Sequence, residues 1–391
     1  NALAEISGAQ RATESGASSD RPSLARRFSG RFRCRLRRGC RLRRRFWFWR
    51  GRWCRDLAEV YTGLERRPLG DSLFAAGHGL ERRQEAFVVG EIGVVPRAPL
   101  LDQLAFEQQR LGLGFHFDDV EVGIVAYPHG AAAPVVAEMR GRGLLVVDLS
   151  ADFRFKDRAT YEDYYGAHAV PELLEGAAYG LTELDRKWIR EAELVANPGC
   201  YPTASLLGLA PLARAGLIED VVIDAKSGVS GAGRGGGEGT AFVSITENVN
   251  AYKPVGHRHR PEIAEKLGLV AKAGGDAEAA PDRLTFVPHL VPVDQGELVS
   301  CYVTPRRELS QEELDGLYVD AYADEPFIRL RDVPPGMRDV RETNQCHIFK
   351  LVTDDRILVE SAIDNLWKGA SSQAIQNLNL MLGLDETEGL K

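Results

Sequence analysis

The sequence predicts an α/β protein: a doubly wound, parallel-sheet domain joined to an α+β domain built on a mixed or antiparallel sheet. Three observations lead there. Between residues 120 and 200, apolar runs of strand length alternate with helical stretches, the rhythm of β-α-β units. Beyond residue 216 the text changes to longer, partly alternating strands, suited to a mixed sheet with helices on one face. With 391 residues, 44% of them hydrophobic and 27% charged, the chain has room for two domains and the composition of a globular protein with a sizeable core.

The elements follow in order. VEVGIVA (120–126) is a buried strand, PHG a turn, and AAAPVVAEMRGRG a helix that stops at glycine. LLVVDLS (144–150) completes the first β-α-β unit. AELVANPGC (192–200) repeats the pattern: a strand, a sharp Pro-Gly turn, then Cys200 at the head of the apolar helix YPTASLLGLAPLARAG. VVIDAKSG (221–228), LTFVPHLVPV (284–293) and ELVSCYVTP (297–305) are strands, and SQEELDGLYVDAYA is a helix covering one face. HIFKLVTDDRILVESAID (347–364) reads as a hairpin turning at Asp354-Asp355, and NLWKGASSQAIQNLNLMLG (365–383) as an amphipathic helix opened by Lys-Gly-Ala-Ser. Residues 56–117 are only weakly patterned.

Charge divides the chain unevenly. The net charge is −7, yet residues 26–55 hold fourteen arginines and no acid, so the remainder carries about −21. Of six cysteines, Cys34, Cys40 and Cys54 lie in this arginine tract and Cys200, Cys301 and Cys346 are scattered singly. No disulfide framework appears, which fits a reducing compartment and leaves a lone nucleophile open. No apolar run approaches the roughly 18 residues that span a bilayer, so no membrane partner is expected and the placement is cytoplasmic.

Four groups of residues carry chemistry. Cys200 follows a strand and a Pro-Gly turn, so its thiol sits where helix N–H groups and the positive dipole end stabilise thiolate; the bland alternative is a small buried cysteine. GHRHRPEI (256–263) offers His257 and His259 as acid or base before Pro261 and Glu262, with one of the two imidazoles free to be merely structural. Histidines at i and i+2 without a third ligand do not make a metal site. SGVSGAGRGGGEG (227–239) lets backbone N–H groups approach an anion, with Arg234 adding charge, or is a surface loop. Ser150, Asp152 and Arg154 follow a parallel strand, where ligands of such sheets meet polar side chains, or where a capping and ion-pair cluster forms. Pro128 and His129 end another strand, and Lys368 and Gly369 open a helix.

Together LSADFRFKD, YGLTELDR, VANPGCYPTAS, DAKSGVSGAGR, GHRHRPEI and NLWKGASSQAIQNLNLM resemble the N-acetyl-γ-glutamyl-phosphate reductase family, relatives of aspartate-semialdehyde dehydrogenase, over residues 118–391. The resemblance implies a Rossmann-type NADP-binding domain from residues 56–199 and 365–391, and a catalytic and dimerisation domain from residues 200–364. It implies NADPH-dependent reductive dephosphorylation of an acyl phosphate in arginine biosynthesis. Cys200 would be the nucleophile that forms a thioester. His257, with His259 as rival, would pass the proton to and from sulfur. Ser150, Arg154 and Glu262 would line the substrate. Pro128, His129, Ser227, Gly228, Ser230, Gly231, Gly233, Asn365 and Gly369 would line the cofactor. A homo-oligomer, dimer or tetramer, is expected. Aspartate-semialdehyde dehydrogenase and a carrier-protein aminoadipate phosphate reductase are the neighbouring activities.

One departure stands out. The family's glycine-rich turn, G-x-x-G-Y-x-G, is missing before Val120. In its place stands RFRCRLRRGCRLRRRFWFWRGRW (31–53). Read one base later, CGN arginine codons become GNX codons for Gly, Ala, Val, Asp or Glu, and residues 38–45 can yield G-A-A-G-Y-A-G-A. We therefore expect residues 1–55 to be aberrant or disordered, and a wrong reading frame to run from near the start to somewhere before Val120; such a chain would lack a working cofactor loop and be inactive. The gene's nucleotide sequence decides it. As a nucleic-acid arm the tract would use arginine for phosphates and Trp47, Trp49 and Trp53 for stacking, and as an organelle transit peptide it would be removed. Neither accounts for the missing turn, and no nucleic-acid partner is expected.

Overall fold

The apolar runs between residues 120 and 200 become a parallel sheet. The computed structural model describes residues 120–233, 237–275 and 280–391 together with the backbone of Ala86–Val89, all within the unit Arg52–Lys391. The arginine tract, the missing glycine turn and Arg234 lie outside the described residues. Strands β1 (Ala86–Val89), β2 (Val122–Val125), β3 (Leu145–Asp148), β4 (Ala178–Tyr179) and β5 (Leu194–Ala196) lie in the order β1-β2-β3-β5-β4, every pair parallel. β1 falls in the weakly patterned stretch and was not predicted; its pairing, Ala86 opposite Val122, comes from its neighbour rather than from its own periodicity.

Helices α1 (Ala133–Gly141), α2 (Arg158–Tyr165) and α3 (Thr182–Glu191) accompany this sheet. Asp157 caps α2 by accepting the Ala159 and Thr160 N–H groups. α1 has no side-chain cap of its own. Asp152, on the loop after β3, caps it from a distance, accepting from Gly130 N at 2.6 Å, Ala132 N at 3.1 Å and Ala133 N at 3.0 Å. The strand ends after β2 and β3 are thereby tied together.

Helix α4 (Cys200–Arg214) links the two sheets. It is buried along its length, with Leu206, Leu207, Leu209 and Leu212 sealed from solvent, and it packs against the second sheet. Pro211 leaves the Leu207 carbonyl without its helical donor. The Tyr322 hydroxyl donates to that carbonyl at 2.6 Å, and Tyr318 donates to the Gly208 carbonyl at 2.6 Å. The proline is accommodated because a distant helix satisfies the group it orphans.

The second sheet comprises β6 (Ile218–Ser227), β7 (Asn250–Ala251), β8 (Arg283–Leu290), β9 (Glu297–Pro305), β10 (Ile328–Arg331), β11 (Cys346–Val352) and β12 (Ile357–Ile363), with α5 (His259–Ala273) and α6 (Gln311–Tyr322) between strands. Its order is β10-β11-β12-β9-β6-β8-β7. β6 runs parallel to β8 and β10 parallel to β11, while the other pairs are antiparallel, so the sheet is mixed. The hairpin β11–β12 turns at Asp354-Asp355 as the sequence predicts, and Ser310 caps α6 by accepting Glu313 N–H at 3.1 Å.

The last helix, α7 (Ser372–Met381), differs from its expected amphipathic character. Both its apolar residues (Ile375, Leu378) and its polar ones (Gln373, Gln376, Asn377) are buried. The polar face is not solvated because it meets partners: Asn377 with Thr182, Gly180 and Asn197, and Gln376 with Lys368 and Asn344. Before it the chain makes a π-helical turn, Trp367–Ser371. Lys368 there is fully buried, donating to Glu183 at 2.6 Å and Gln376 at 2.7 Å, far from an ordinary helix start. Among the described residues no helix is long and apolar enough to cross a membrane.

Candidate active site

The Asn197-Pro198-Gly199 turn ends β5 and delivers Cys200 as the first residue of α4. The turn is clamped from three directions. Asn197 donates to the Ala370 carbonyl at 3.1 Å and accepts from Asn377 at 3.0 Å, both from the C-terminal segment. Arg154 Nε donates to the Asn197 carbonyl at 2.8 Å. Glu262, on α5, accepts the Gly199 N–H at 3.0 Å.

Arg154 and Glu262 thus sit at the site, but as clamps. Arg154 is almost sealed and donates to Asn197 O, to Leu149 O at 2.8 Å and to Glu262 at 3.2 Å. Glu262 is fully buried, and it also accepts the Tyr179 hydroxyl at 2.9 Å. Ser150 is buried too: its hydroxyl donates to Asp148 at 2.6 Å and accepts from Asp152 N at 3.0 Å. Ser150–Arg154 thus make the contacts of a capping and ion-pair cluster.

The thiol departs from expectation in its protonation. The helix N-terminus does act on it, for the Tyr201 N–H favours the thiolate, but burial and the nearby Glu297 carboxylate outweigh that and push the thiol well above its usual range. Cys200 is therefore a neutral thiol at rest. Gly369 abuts it: a Cβ at Gly369 would lie 2.8 Å from the Cys200 Cβ. Only a glycine lets the C-terminal turn come this close.

His257 and His259 flank the same turn. A Cβ on Gly199 would lie 2.5 Å from His259 Nε2, so that nitrogen packs directly beside the residue preceding Cys200. His259 Nδ1 is buried without a partner. Burial first, then His257 and the guanidinium of Arg154, hold His259 well below its usual range; burial, Lys253 and Arg258 lower His257 to about 4. Both rings are neutral at pH 7. His257 Nδ1 accepts the His259 N–H at 3.1 Å, so its hydrogen sits on Nε2. Arg258, exposed between them with its guanidinium over the Tyr165 ring at 5.0 Å, is a cation that the sequence reading left unassigned.

The residues expected to line a nicotinamide nucleotide fall in two groups. Ser227, Gly228, Ser230, Gly231 and Asn365 come together: Asn365 donates to Ser230 at 3.0 Å and accepts from Gly296 N at 2.7 Å. Gly228 and Gly231 have local reasons to be glycine, since a Cβ would meet the Asp294 carbonyl at 2.6 Å and the Ser227 hydroxyl at 2.8 Å respectively. Gly233 is different. It has φ +76°, a conformation that suits glycine, and its N–H donates to the Ser230 carbonyl at 3.1 Å. Pro128 and His129 are exposed at the end of β2, where His129 Nδ1 accepts Ala151 N–H at 3.0 Å. Exposed residues at parallel strand ends fit such a nucleotide. Among the described residues no group of His, Cys, Asp or Glu is arranged to hold a metal ion.

Comparison with known proteins gives this geometry its context. The semialdehyde dehydrogenase NAD binding domain matches residues 105–192, and the semialdehyde dehydrogenase dimerisation domain matches residues 200–365. In fold the chain is similar to aspartate semialdehyde dehydrogenase II from Vibrio cholerae, with a TM-score of 0.53 and 18% identity over 69% of this chain and 82% of that one. A parallel sheet that presents a cysteine at a helix head, beside a mixed sheet, defines an oxidoreductase of the semialdehyde dehydrogenase class. N-acetyl-gamma-glutamyl-phosphate reductases resemble it far more closely: the one from Desulforudis audaxviator is 51% identical over 70% of this chain and 79% of its own length, and that from Pelotomaculum thermopropionicum 46% identical over 76% and 85%. The chain belongs to the N-acetyl-gamma-glutamyl-phosphate reductase family.

Proposed function

We propose that this protein reduces N-acetyl-γ-glutamyl phosphate to N-acetylglutamate 5-semialdehyde, with release of phosphate, as a step of arginine biosynthesis. The observation that carries the reading is the placement of Cys200: a thiol at a helix head, clamped by Asn197 and Glu262 and flanked by His257, His259 and Gly369. The sulfur attacks the acyl carbon, the bond to phosphate breaks, and a thioester remains. NADP in its reduced form supplies the hydride. His257, its hydrogen on Nε2, donates to the carbonyl oxygen as negative charge develops there. That is a donor's role at oxygen, whereas service at sulfur needs an open ring nitrogen; His259 Nε2, beside Gly199, is the better placed of the two for it.

Arg154 and Glu262 act on substrate through the turn they hold, and Arg258 is the cation available to the acyl phosphate. Ser227, Ser230, Asn365 and Gly233 line the nicotinamide side, and Pro128 and His129 the strand-end side. The dimerisation-domain match supports a homo-oligomeric working unit, a dimer or a tetramer.

The test is phosphate-dependent NADP reduction with N-acetylglutamate semialdehyde. It compares the chain as given, a form carrying the family's glycine-rich turn, and the Cys200→Ser variant of that restored form. Activity should appear with the restored turn and vanish with Cys200→Ser. Equal turnover with and without the thiol would remove Cys200 from the mechanism.

A further inference from the structure

YGLTELDR (179–186) carries part of the family resemblance, yet beyond Tyr179 it takes no part in the clamp or in the proposed chemistry. Its Thr182 and Glu183 open α3, set off from the rest of that helix by the non-helical backbone of Asp185 (φ −130°, ψ 25°). This first turn grips the C-terminal segment. Thr182 donates to Asn377 at 3.0 Å and accepts from Gln373 at 2.9 Å. Glu183 Oε1 accepts Lys368 Nζ at 2.6 Å and Gln376 Nε2 at 3.4 Å. The side chains of Glu183 and Lys368 are both sealed from solvent, and the ammonium also lies 5.6 Å from the centre of the Phe327 ring.

Stability alone does not account for this pair. Glu183 Oε2 is buried without a donor among the described residues, and apolar residues of similar volume fill such a space as well as a buried ion pair does, or better. What the pair supplies is a fixed position. Gly369 abuts the Cys200 Cβ and has no side chain with which to anchor itself. Its neighbours hold it: Lys368 on one side and, on the other, Ala370, whose carbonyl accepts Asn197 Nδ2 at 3.1 Å. All three sit in the π-helical turn Trp367–Ser371, a rare geometry that gathers at functional sites.

We infer that Lys368 and Glu183 are positioning residues of the proposed reaction: their pair ties the Gly369 turn to the first turn of α3 and so fixes where the Cys200 sulfur stands relative to the nucleotide domain. The inference rests on Cys200 being the nucleophile and on a hydride carried by that domain, whose match, residues 105–192, includes α3. Neither residue touches a reacting atom; both act through Gly369. With the tie cut, the turn over the thiol loosens. A small reagent then reaches the sulfur more easily, while substrate and hydride meet it in poorer alignment. The cost falls on the reacting geometry rather than on substrate affinity.

The experiment measures the rate at which iodoacetamide alkylates Cys200 in the full chain, by mass spectrometry of the Cys200 peptide, alongside thermal melting. Lys368→Met alone leaves a buried charge unpaired and confounds position with stability. The deciding variant is therefore Lys368→Met combined with Glu183→Leu, which removes both charges and should melt close to the unmodified protein. In it Cys200 should be alkylated several-fold faster. Built into the restored form, the same double change should lower kcat by roughly tenfold to 10²-fold and leave KM unaltered. An alkylation rate equal to that of the unmodified protein overturns the proposal, and so does an unchanged kcat, because a merely structural pair is replaced by its apolar equivalent without effect on either. Should the double variant fail to fold, hydrogen exchange of the unmodified protein decides. The Gly369 and Ser371 amides, bonded to the Asp364 and Leu366 carbonyls, must exchange together with those of Leu184 and Asp185, bonded to Leu181, as one opening unit; a turn that exchanges well before α3 overturns the proposal. Turnover surviving Cys200→Ser in the restored form refutes the nucleophile instead, an outcome that the alkylation and exchange rates cannot produce.

Discussion

Replacing Gly369 by alanine tests how tightly the C-terminal turn is built onto Cys200, the proposed nucleophile. The added Cβ would lie 2.8 Å from the Cys200 Cβ and 3.3 Å from both the Cys200 Cα and the Asp364 carbonyl, where ordinary contact begins at 3.4 Å. The cysteine must therefore be displaced by about 0.6 Å or more. The turn cannot recoil freely, because the Gly369 N–H donates to that same Asp364 carbonyl at 2.9 Å. A misplacement of about 1 Å at a reacting group costs on the order of 10²-fold in rate, so this one should cost between roughly tenfold and 10²-fold. Overpacking should also lower stability by about 1–3 kcal/mol. The assays are the alkylation rate of Cys200, which needs no cofactor, together with turnover in the restored form and thermal melting. Gly369→Ala with unaltered alkylation, turnover and melting temperature would refute the packing argument.

Two further perturbations follow from the clamp and from the buried acids. Glu262→Ala strips the partner from Arg154, a pair whose side chains are only 5% and 0% exposed, and leaves the Gly199 N–H and Tyr179 hydroxyl without an acceptor. Breaking a buried pair this way costs about 3–5 kcal/mol, a fall in melting temperature of roughly 10 °C, and calorimetry showing no fall would count against the clamp. Burial raises Asp148 to about 7 despite the Ser150 hydrogen bonds, and raises Glu297 to about 8. In the unfolded chain both lose their protons at ordinary carboxylate pH. The folded state thus binds more protons across the window between, and stability declines as pH rises from about 4 toward 8, by at most about 1.4 kcal/mol per unit for each group. Urea midpoints should drop over that range and level off above it, with Asp148→Asn flattening part of the slope; a midpoint that rises with pH would reverse the sign of the argument.

Much of the architecture was legible in the sequence because it is carried by local signals. Strand-length apolar runs, Pro-Gly and glycine stops and the Asp-Asp hairpin turn placed β2, β3, β5, β9, the β11–β12 hairpin and α4 within a few residues of their positions. β1 was missed because four residues without periodicity carry no signal of their own, and their pairing is imposed by β2. α7 was misjudged for the opposite reason. Its polar residues have the spacing of a solvated face, and nothing local tells that Thr182, Asn197 and Asn344 come from elsewhere to receive them.

The sequence by itself determined where the Cys200 sulfur stands, since a strand, a Pro-Gly turn and an apolar helix fix it at a helix head wherever that chain folds. Only the tertiary structure decided what state that sulfur is in. The helix N-terminus seen from the sequence predicts a thiolate, but burial and Glu297, brought from another strand of another sheet, keep the proton on. The same holds for Arg154 and Glu262, whose pairing across the fold and hold on the turn no local spacing announces. Spacing along a chain specifies local geometry; the charge state of a buried group depends on what the rest of the molecule excludes from it and places beside it.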